Sequence, residues 1–325
     1  MTGICADSCQ PWKYQGGWGM TKKSIFKQRG FRLFLMIVPL LVLIFLFSYL
    51  PLTGWIYAFY NYKPGRPLFS CKYVGFGYFK DMFTDKYLFH DLCRVLKNTF
   101  GMSFLGIATS PLPMLFAVFL AEIRNKTYRK TVQTLTTIPN FISWVLVYSV
   151  AYAMFSVDDG LVNRLLMKMG LIDTGINFLA SSSHIWLKMW LWSTWKGLGW
   201  SAIMYIAAIT SIDQEQYEAA EVDGANRWQR IWYITIPGLM PTYFVLLIMS
   251  IANLINNGME QYYVFQNAMN QDSIEVLDLY VYNQGIAGYN YSYATAISML
   301  KSLVSVTLLF VANRISKLIR GESIF

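Results

Sequence analysis

Six apolar segments constrain this chain more than any other feature of its sequence. A transmembrane helix needs about 20 mostly apolar residues to cross about 30 Å of hydrocarbon. The candidate segments are residues 33–59, 99–121, 132–155, 185–209, 242–254 and 293–311. The fifth is shorter because Asn253, Asn256 and Asn257 end its apolar run, so either the span is short or its outer half lines a wet space. With 55% hydrophobic residues and a mean hydropathy of +0.36, the chain is predicted to be an all-α polytopic membrane protein with six transmembrane helices.

Lysine and arginine residues set the predicted orientation, because positively charged loops stay on the cytoplasmic side. They cluster before the first span, between spans two and three, between spans four and five, and after the last span. Residues 258–292 contain neither lysine nor arginine, which favours an external position for that loop. Residues 61–94 would form an external loop in this orientation, and their basic character argues against it, but the charges of the other loops outweigh this one. Both termini are therefore predicted to be cytoplasmic.

The net charge of +9 and the pI near 9.2 fit basic cytoplasmic loops better than nucleic-acid binding. The four cysteines lack the paired spacing of a structural zinc site, so we expect no metal. Cys71 and Cys93 share one predicted external loop. A disulfide between them is geometrically possible, but two unpaired thiols are favoured.

One membrane domain is predicted, with no internal repeat and no separate soluble domain. Its parts are a cytoplasmic N-terminal tail at residues 1–32, a transmembrane domain at 33–313 and a cytoplasmic C-terminal tail at 314–325. Residues 1–19 lack the apolar core of a secretory signal, and both an upstream extension and a disordered tail stay open for them, since Met20 begins a basic run typical of a natural start. Residues 160–170 have the spacing of a helix that packs over the bundle or lies along the membrane surface.

A motif with fixed spacing lies in the predicted cytoplasmic loop at residues 211–241. Glu218, Ala219 and Ala220 are followed by Gly224 after three residues, Ile234 after nine more and Pro237 after two more. The two alanines offer a small surface to another protein, and the Glu218 carboxylate suits a basic partner.

The same loop contains signals for two helices. Asp213 and Gln216 have the spacing of a capping box, so a short helix is expected from about Asp213. Gly224 permits a turn before a second helical stretch. Pro237 and Pro241 suit the first turn of the helix that returns to the membrane.

The motif resembles the EAA motif of permease subunits of binding-protein-dependent ABC importers. The family usually has leucine before the last proline, where this chain has Ile236. Residues 195–228 and 277–317 also resemble the carbohydrate-uptake branch, the MalF-type permeases and particularly their LplB-like group. The resemblance covers nearly all of the chain after Met20 and is most specific from Trp195 onward.

This resemblance implies a type I ABC importer permease fold with a cytoplasmic coupling helix, in a bacterial plasma membrane. It implies a non-catalytic subunit that takes up oligosaccharides by alternating access, with Glu218, Ala219, Ala220, Gly224, Ile234 and Pro237 coupling it to an ATPase. The implied partners are a second, usually different permease, two ATPase subunits and an extracytoplasmic solute-binding protein. The chain has no G-x-x-x-x-G-K-[ST] phosphate loop, so ATP and Mg²⁺ are expected on the partners and no cofactor on this chain.

Polar and aromatic residues within the spans are candidates for contact with substrate. Charged side chains in hydrocarbon usually face the bundle interior or a wet cavity, and aromatic faces beside hydrogen-bonding groups suit a sugar. The candidates are Trp195, Lys196, Trp200, Asn253, Asn256, Glu260, Tyr263 and Lys301. A lysine could pair with a uronic acid carboxylate, but Lys196 and Lys301 could equally hold helices together through carbonyls or Glu260.

Two other functions stay open. One is an ABC permease for a different solute class, such as amino acids, phosphate or metal ions. The other is an integral-membrane enzyme that modifies glycans or lipids, with Asp158 and Asp159 as metal ligands and His90 or His184 as acid-base groups. The histidines lie in different loops without companion ligands, so the transport function is favoured.

Overall fold

The structure is a computed structural model that describes residues 29–320. The expectations for residues 1–28 and 321–325, including the alternatives for residues 1–19, lie outside the described residues. Within 29–320 the regular secondary structure is helical, apart from one isolated antiparallel bridge between Tyr60 and Tyr73. The predicted all-α fold class is confirmed.

Fifteen α-helices, named in chain order, make up the described part of the chain. They are α1 Arg29–Ile44, α2 Gly77–Thr84, α3 Lys86–Ala108, α4 Pro111–Ala121, α5 Lys126–Thr137, α6 Trp144–Phe155, α7 Leu161–Lys168, α8 Ile185–Thr210, α9 Gln214–Val222, α10 Arg227–Arg230, α11 Ile236–Ala252, α12 Glu260–Phe265, α13 Gln271–Ile274, α14 Leu277–Tyr282 and α15 Tyr291–Arg320. Wider π-helical turns occupy Phe45–Tyr49, Ile231–Thr235 and Asn283–Ala287. Tighter 3-10 turns occupy Leu50–Phe59, Leu68–Ser70 and Ile138–Phe141.

Four helical runs in the described residues are long and apolar enough to cross a membrane: Leu33–Phe59, Lys86–Ala121, Arg227–Ala252 and Tyr291–Arg314. A fifth exists if Lys126–Phe141 and Trp144–Phe155, which meet at an angle of 106°, form one broken span. Helix α8 covers the predicted fourth span, but its lysines, tryptophans and glycines make it less apolar than these runs. The count of six spans therefore stays a prediction.

Three predicted spans have other bounds in the structure. The prediction of a short fifth span over 242–254 is wrong, because the helix already begins at Arg227 and runs to Ala252 through the π-helical turn. The second span extends back to Lys86, since the Asp85 carboxylate accepts hydrogen bonds from the backbone N–H groups of Tyr87 and Leu88 at 2.8 and 3.1 Å. The third span is broken near Pro139, and Ser143 then caps α6. Helix α7 confirms the helix predicted over residues 160–170.

Residues 55–320 form a compact unit, and residues before Trp55 form another. In the larger unit, one buried cluster joins α2, α3, α14 and α15, and a second joins α6, α8, α12 and the segment around Leu279. A third joins α4, α8 and α11 and includes Ile231, at the foot of α11. Helix α8 also approaches α5 so closely that a Cβ at Gly199 would lie 2.3 Å from the Thr136 carbonyl oxygen. Cys71 and Cys93 are free thiols, as favoured from the sequence.

Candidate functional site

The EAA loop, residues 211–241, begins with the short helix α9. The Asp213 carboxylate accepts a hydrogen bond from the backbone N–H of Glu215 at 3.0 Å and so caps the helix. The predicted helix start is confirmed, although the cap uses Glu215 rather than Gln216. Glu218 and Ala219 are exposed on α9.

Gly224 ends α9 in the left-handed conformation that the sequence predicts, with φ of +79°. The N–H of Gly224 donates to the Glu221 carbonyl at 3.1 Å, and the N–H of Ala225 donates to the Ala220 carbonyl at 2.9 Å. These are the two bonds of a Schellman motif. A reciprocal capping box then forms between Asn226 and Gln229 at the start of α10. The helix-turn-helix arrangement is therefore confirmed, with its capping box on the second helix.

A π-helical turn at Ile231–Thr235 joins α10 to α11. Pro237 has no N–H for the carbonyl of Tyr233, four residues earlier, and its ring crowds that carbonyl. The chain widens at this point, and the helix continues without interruption from Arg227 to Ala252. Pro237 lies in the first turn of α11, as predicted, but the prediction is wrong for Pro241, which lies inside α11. The helix tolerates Pro241 in its interior, so the chain does not restart there.

Two large apolar side chains lie exposed among the polar and charged residues of α9 and α10. Val222 is 89% exposed and Trp228 is 62% exposed. No residue of α9 is buried. Because clustered exposed apolar groups mark interaction sites, this surface fits contact with another protein.

A cavity of about 540 Å³ lies where α4, α8 and α11 meet. Two predicted candidates, Trp200 and Asn253, line it. Trp190, Ser193 and Ser201 line it too, and none of the described residues on its wall carries a charge. An aromatic and hydroxyl-rich wall without charges suits a neutral polyhydroxylated ligand.

Sequence reasoning missed most of this wall. Trp190 is held at the C-terminal cap of α3, because its indole N–H donates to the hydroxyl oxygen of the capping residue Thr109 at 2.7 Å. Trp190, Ser193, Gly197 and Ser201 follow one another on α8 at three- and four-residue intervals. This spacing places them on one helical face, and it is the signal that could have revealed them.

Lys196 contacts other parts of the bundle rather than this cavity. Its ammonium donates to the Asn140 carbonyl at 2.8 Å and lies 5.4 Å from the centre of the Trp144 ring. Asn140 and Trp144 lie on either side of the break between α5 and α6. The geometry agrees with the alternative that Lys196 holds helices together.

Lys301 forms an ion pair with Asp278, not with Glu260. Both lie beside a smaller groove of about 360 Å³ together with Asn256 and Ser305. The Asn256 amide donates to the Ser305 hydroxyl at 3.2 Å. These contacts join α15 to the residues that follow α11 and to α14.

The remaining candidates are scattered. Trp195 faces an apolar groove with Trp192, whose ring centre is 5.8 Å away. Glu260 and Tyr263 are exposed on α12, where the Tyr263 ring packs 5.3 Å from that of Tyr282. The structure therefore brings together Trp200 with Asn253, and Asn256 with Lys301, but not the whole predicted set.

The residues of the enzyme alternative lie apart from this cavity. Asp159 forms an ion pair with Arg164 at 2.7 Å, and both side chains are exposed. The Ser183 hydroxyl and the His184 Nδ1 are 2.7 Å apart. Among residues 29–320, no three histidine, cysteine, aspartate or glutamate side chains converge to hold a metal ion.

Comparison with known proteins gives consistent relationships. The family model of the binding-protein-dependent transport system inner membrane component matches residues 113–321. Protein LplB of Bacillus subtilis is 38% identical over 294 residues, which cover 90% of this chain and 91% of that protein. The polygalacturonan/rhamnogalacturonan transport system permease protein YteP, also of Bacillus subtilis, is 38% identical over 90% of both chains.

A solved structure has the same fold. It is a chain from a bacterial ABC transporter involved in the import of the acidic polysaccharide alginate, with a TM-score of 0.79 and 32% sequence identity. The match covers 90% of this chain and 97% of that one. The same transporter type in complex with a periplasmic protein that holds an alginate pentasaccharide matches with a TM-score of 0.80 and 31% identity, over 91% of this chain and 97% of that one.

Proposed function

Because this chain belongs to the family of binding-protein-dependent transport system inner membrane components, we propose that it is the permease subunit of an ATP-driven oligosaccharide importer. The observation that carries the proposal is the EAA loop, a capped helix-turn-helix with exposed Glu218 and Val222. Such a surface suits a partner protein that binds the membrane subunit at exposed residues.

The proposed importer divides its tasks among several chains. Two ATPase subunits bind ATP and Mg²⁺ and contact the EAA loop, and a solute-binding protein delivers the cargo from outside. A second, homologous permease completes the pathway, and transport proceeds by alternating access. In this arrangement both termini of the chain are cytoplasmic, in a bacterial plasma membrane, and the chain itself needs no cofactor.

The cavity between α4, α8 and α11 is the proposed contribution of this subunit to the sugar pathway. The apolar C–H faces of a sugar ring pack on aromatic side chains such as Trp200, and its hydroxyls bond to groups such as Ser193 and Asn253. YteP carries polygalacturonan and rhamnogalacturonan in its name, and a further relative of Bacillus subtilis, AraP, is named for arabinooligosaccharides. These relatives support oligosaccharide cargo over amino acids or ions.

The test is the charge reversal Glu218→Lys in the assembled importer. We expect uptake to be abolished and the ATPase to dissociate during purification, while the membrane subunit stays folded, because Glu218 is exposed. Asp173→Lys, an exposed charge reversal in another loop, is the matched control and should leave uptake intact. Normal uptake and a stable ATPase complex in Glu218→Lys would show that the loop has been assigned wrongly.

Cargo is tested with labelled arabino-oligosaccharides, oligogalacturonates, alginate pentasaccharide and free methionine, each supplied with the cognate binding protein. Uptake of at least one oligosaccharide and none of methionine is expected. Uptake of methionine alone would support the alternative of a different solute class.

Comparing Lys196→Met with the wild type on neutral and acidic sugars tests whether Lys196 contacts an anion. Since its ammonium bonds to the Asn140 carbonyl, we expect the ratio of the two uptake rates to stay unchanged.

A further inference from the structure

The way α9 is attached to the membrane domain is unusual for an element that must transmit force. None of its residues is buried, so it shares no packed core with the spans. Close packing is what makes a protein interior transmit strain. Its side chains make a hydrogen bond and an ion pair to the helix that runs from Arg227 to Ala252.

One of these contacts is polar and reaches into the buried part of that helix. The hydroxyl oxygens of Tyr217, on α9, and Thr235, in the π-helical turn, are 3.0 Å apart. Thr235 is 4% exposed, and its hydroxyl lies 3.4 Å from the Arg230 carbonyl oxygen, to which it donates. Either hydroxyl can donate in the Tyr217–Thr235 hydrogen bond, and this bond is the shorter of the two that Thr235 makes.

Two further contacts flank this hydrogen bond. Glu221 and Arg230 form an ion pair at 3.3 Å, with the Glu221 side chain 76% exposed, and exposed pairs of this kind contribute little. Before α9, Ile212 packs against α11 where it passes Gly238: a Cβ on Gly238 would lie 2.7 Å from the Ile212 side chain. Ile212 precedes α9, whereas Tyr217 lies on α9 itself and forms a hydrogen bond with the buried Thr235.

We propose that Tyr217 is a positioning residue that passes the displacement of α9 to α11, by way of Thr235 and the π-helical turn. π-Helical turns interrupt the regular helix and often lie at functional sites. Here the turn immediately precedes α11, within the run Arg227–Ala252. Displacement of Thr235 shifts the N-terminal end of α11. Asn253, which lines the cavity, lies at the C-terminal end of the same helix. This inference rests on the proposed function, because it needs an ATPase that moves α9.

The experiment measures the movement of α11 directly. Spin labels are placed at Leu187 on α8 and Val245 on α11, which are 46% and 39% exposed, after the native cysteines are replaced by serine. In the complete importer in lipid nanodiscs, the distance between the labels is compared without nucleotide and after trapping with Mg-ATP and orthovanadate. The ATPase that co-purifies is quantified in the same samples.

Tyr217→Phe removes only the hydroxyl. We expect it to keep the ATPase bound but to reduce the fraction of molecules that shift on trapping by about twofold or more, as for residues along an energetic coupling path. Thr235→Val should have the same effect, Thr235→Ser should retain the wild-type shift, and the double variant Tyr217→Phe with Thr235→Val should be no worse than either single one. Tyr233→Phe, at a side chain that is 80% exposed, is the matched control.

A full shift in Tyr217→Phe, in a complex whose wild type responds, would overturn this inference and leave the proposed function standing. Additive losses in the double variant would also overturn it, because they would show that the two hydroxyls act separately. A wild-type chain that binds no ATPase would instead refute the proposed function, and this inference with it.

Discussion

The EAA loop and the segment at residues 258–292 connect helices of the same domain, but they are built in opposite ways. Helix α9 of the EAA loop buries no residue. The 258–292 segment buries Phe265, Ile274, Leu279 and Tyr280 almost completely. Helix α9 lies on the surface of the domain, and its loop enters the core only later, at Ile231 and Leu239, whereas the 258–292 segment is part of the core.

Polar contacts sharpen this difference. Arg94 on α3 contacts Glu275 at 2.9 Å, and the Glu275 side chain is only 4% exposed. The Asn98 amide donates to the carbonyls of Asp272 and Glu275 at 2.8 and 3.1 Å. Side chains of α3 thus pair with polar groups of the 258–292 segment, while Val222 and Trp228 of the EAA loop stay exposed for another protein. A loop that must follow a moving partner gains from having few ties to the core.

The largest effect is expected from Arg94→Met, which leaves the buried Glu275 carboxylate without its cation. Removing one partner of a buried ion pair typically costs about 3–5 kcal/mol. The free energy of unfolding in detergent should fall by about this amount.

Arg164→Met is the matched control, because the side chains of Arg164 and Asp159 are 62% and 83% exposed. An exposed pair contributes about 0–1 kcal/mol. Equal destabilisation by the two variants would mean that the 258–292 segment is no more integrated than a surface loop.

The second prediction compares one aliphatic side chain from each region. Leu279 is fully buried, so Leu279→Ala should cost about 2–5 kcal/mol through lost contacts and a cavity. Val222→Ala should change the free energy of unfolding by less than about 0.5 kcal/mol, since Val222 is 89% exposed. If Val222→Ala weakens ATPase binding at unchanged stability, the exposed surface of α9 is confirmed as a docking surface; a large loss of stability would contradict its separation from the core.

Local signals made much of the EAA loop predictable from sequence. Asp213 and Gly224 act through backbone groups within a few residues of themselves, so spacing alone locates the start and end of α9. The π-helical turn was not predicted. Its cause is nevertheless present in the sequence, because Pro237 has no N–H to donate to the carbonyl of the residue four positions earlier.

The candidate substrate residues depend on contacts that sequence spacing does not give. Lys196 meets Asn140, and Lys301 meets Asp278, only because the helices pack as they do. The sequence left open whether these lysines contact substrate or other helices, because the fold decides which groups lie within their reach. The cavity wall was missed for the opposite reason, since Ser193 and Ser201 are small, uncharged and common in helices.

The smallest expected effect separates the two regions most cleanly. Gly224 and Gly258 both have positive φ, +79° and +73°, and a Cβ at either would meet no atom within 4 Å. Alanine at each position should therefore carry the same local penalty of about 1–2 kcal/mol for the left-handed conformation. In Gly258→Ala this penalty should appear in the free energy of global unfolding, because the 258–292 segment unfolds with the core.

In Gly224→Ala the same penalty should instead favour local opening of α9, since regions with little buried surface open independently. Amide hydrogen exchange in α9 should rise roughly 5- to 30-fold, which is the same 1–2 kcal/mol expressed as a ratio, with little change in global stability. Hydrogen exchange by mass spectrometry on both variants checks this. If Gly224→Ala lowers the free energy of global unfolding as much as Gly258→Ala does, the EAA loop unfolds together with the core. The contrast between the two regions would then be wrong.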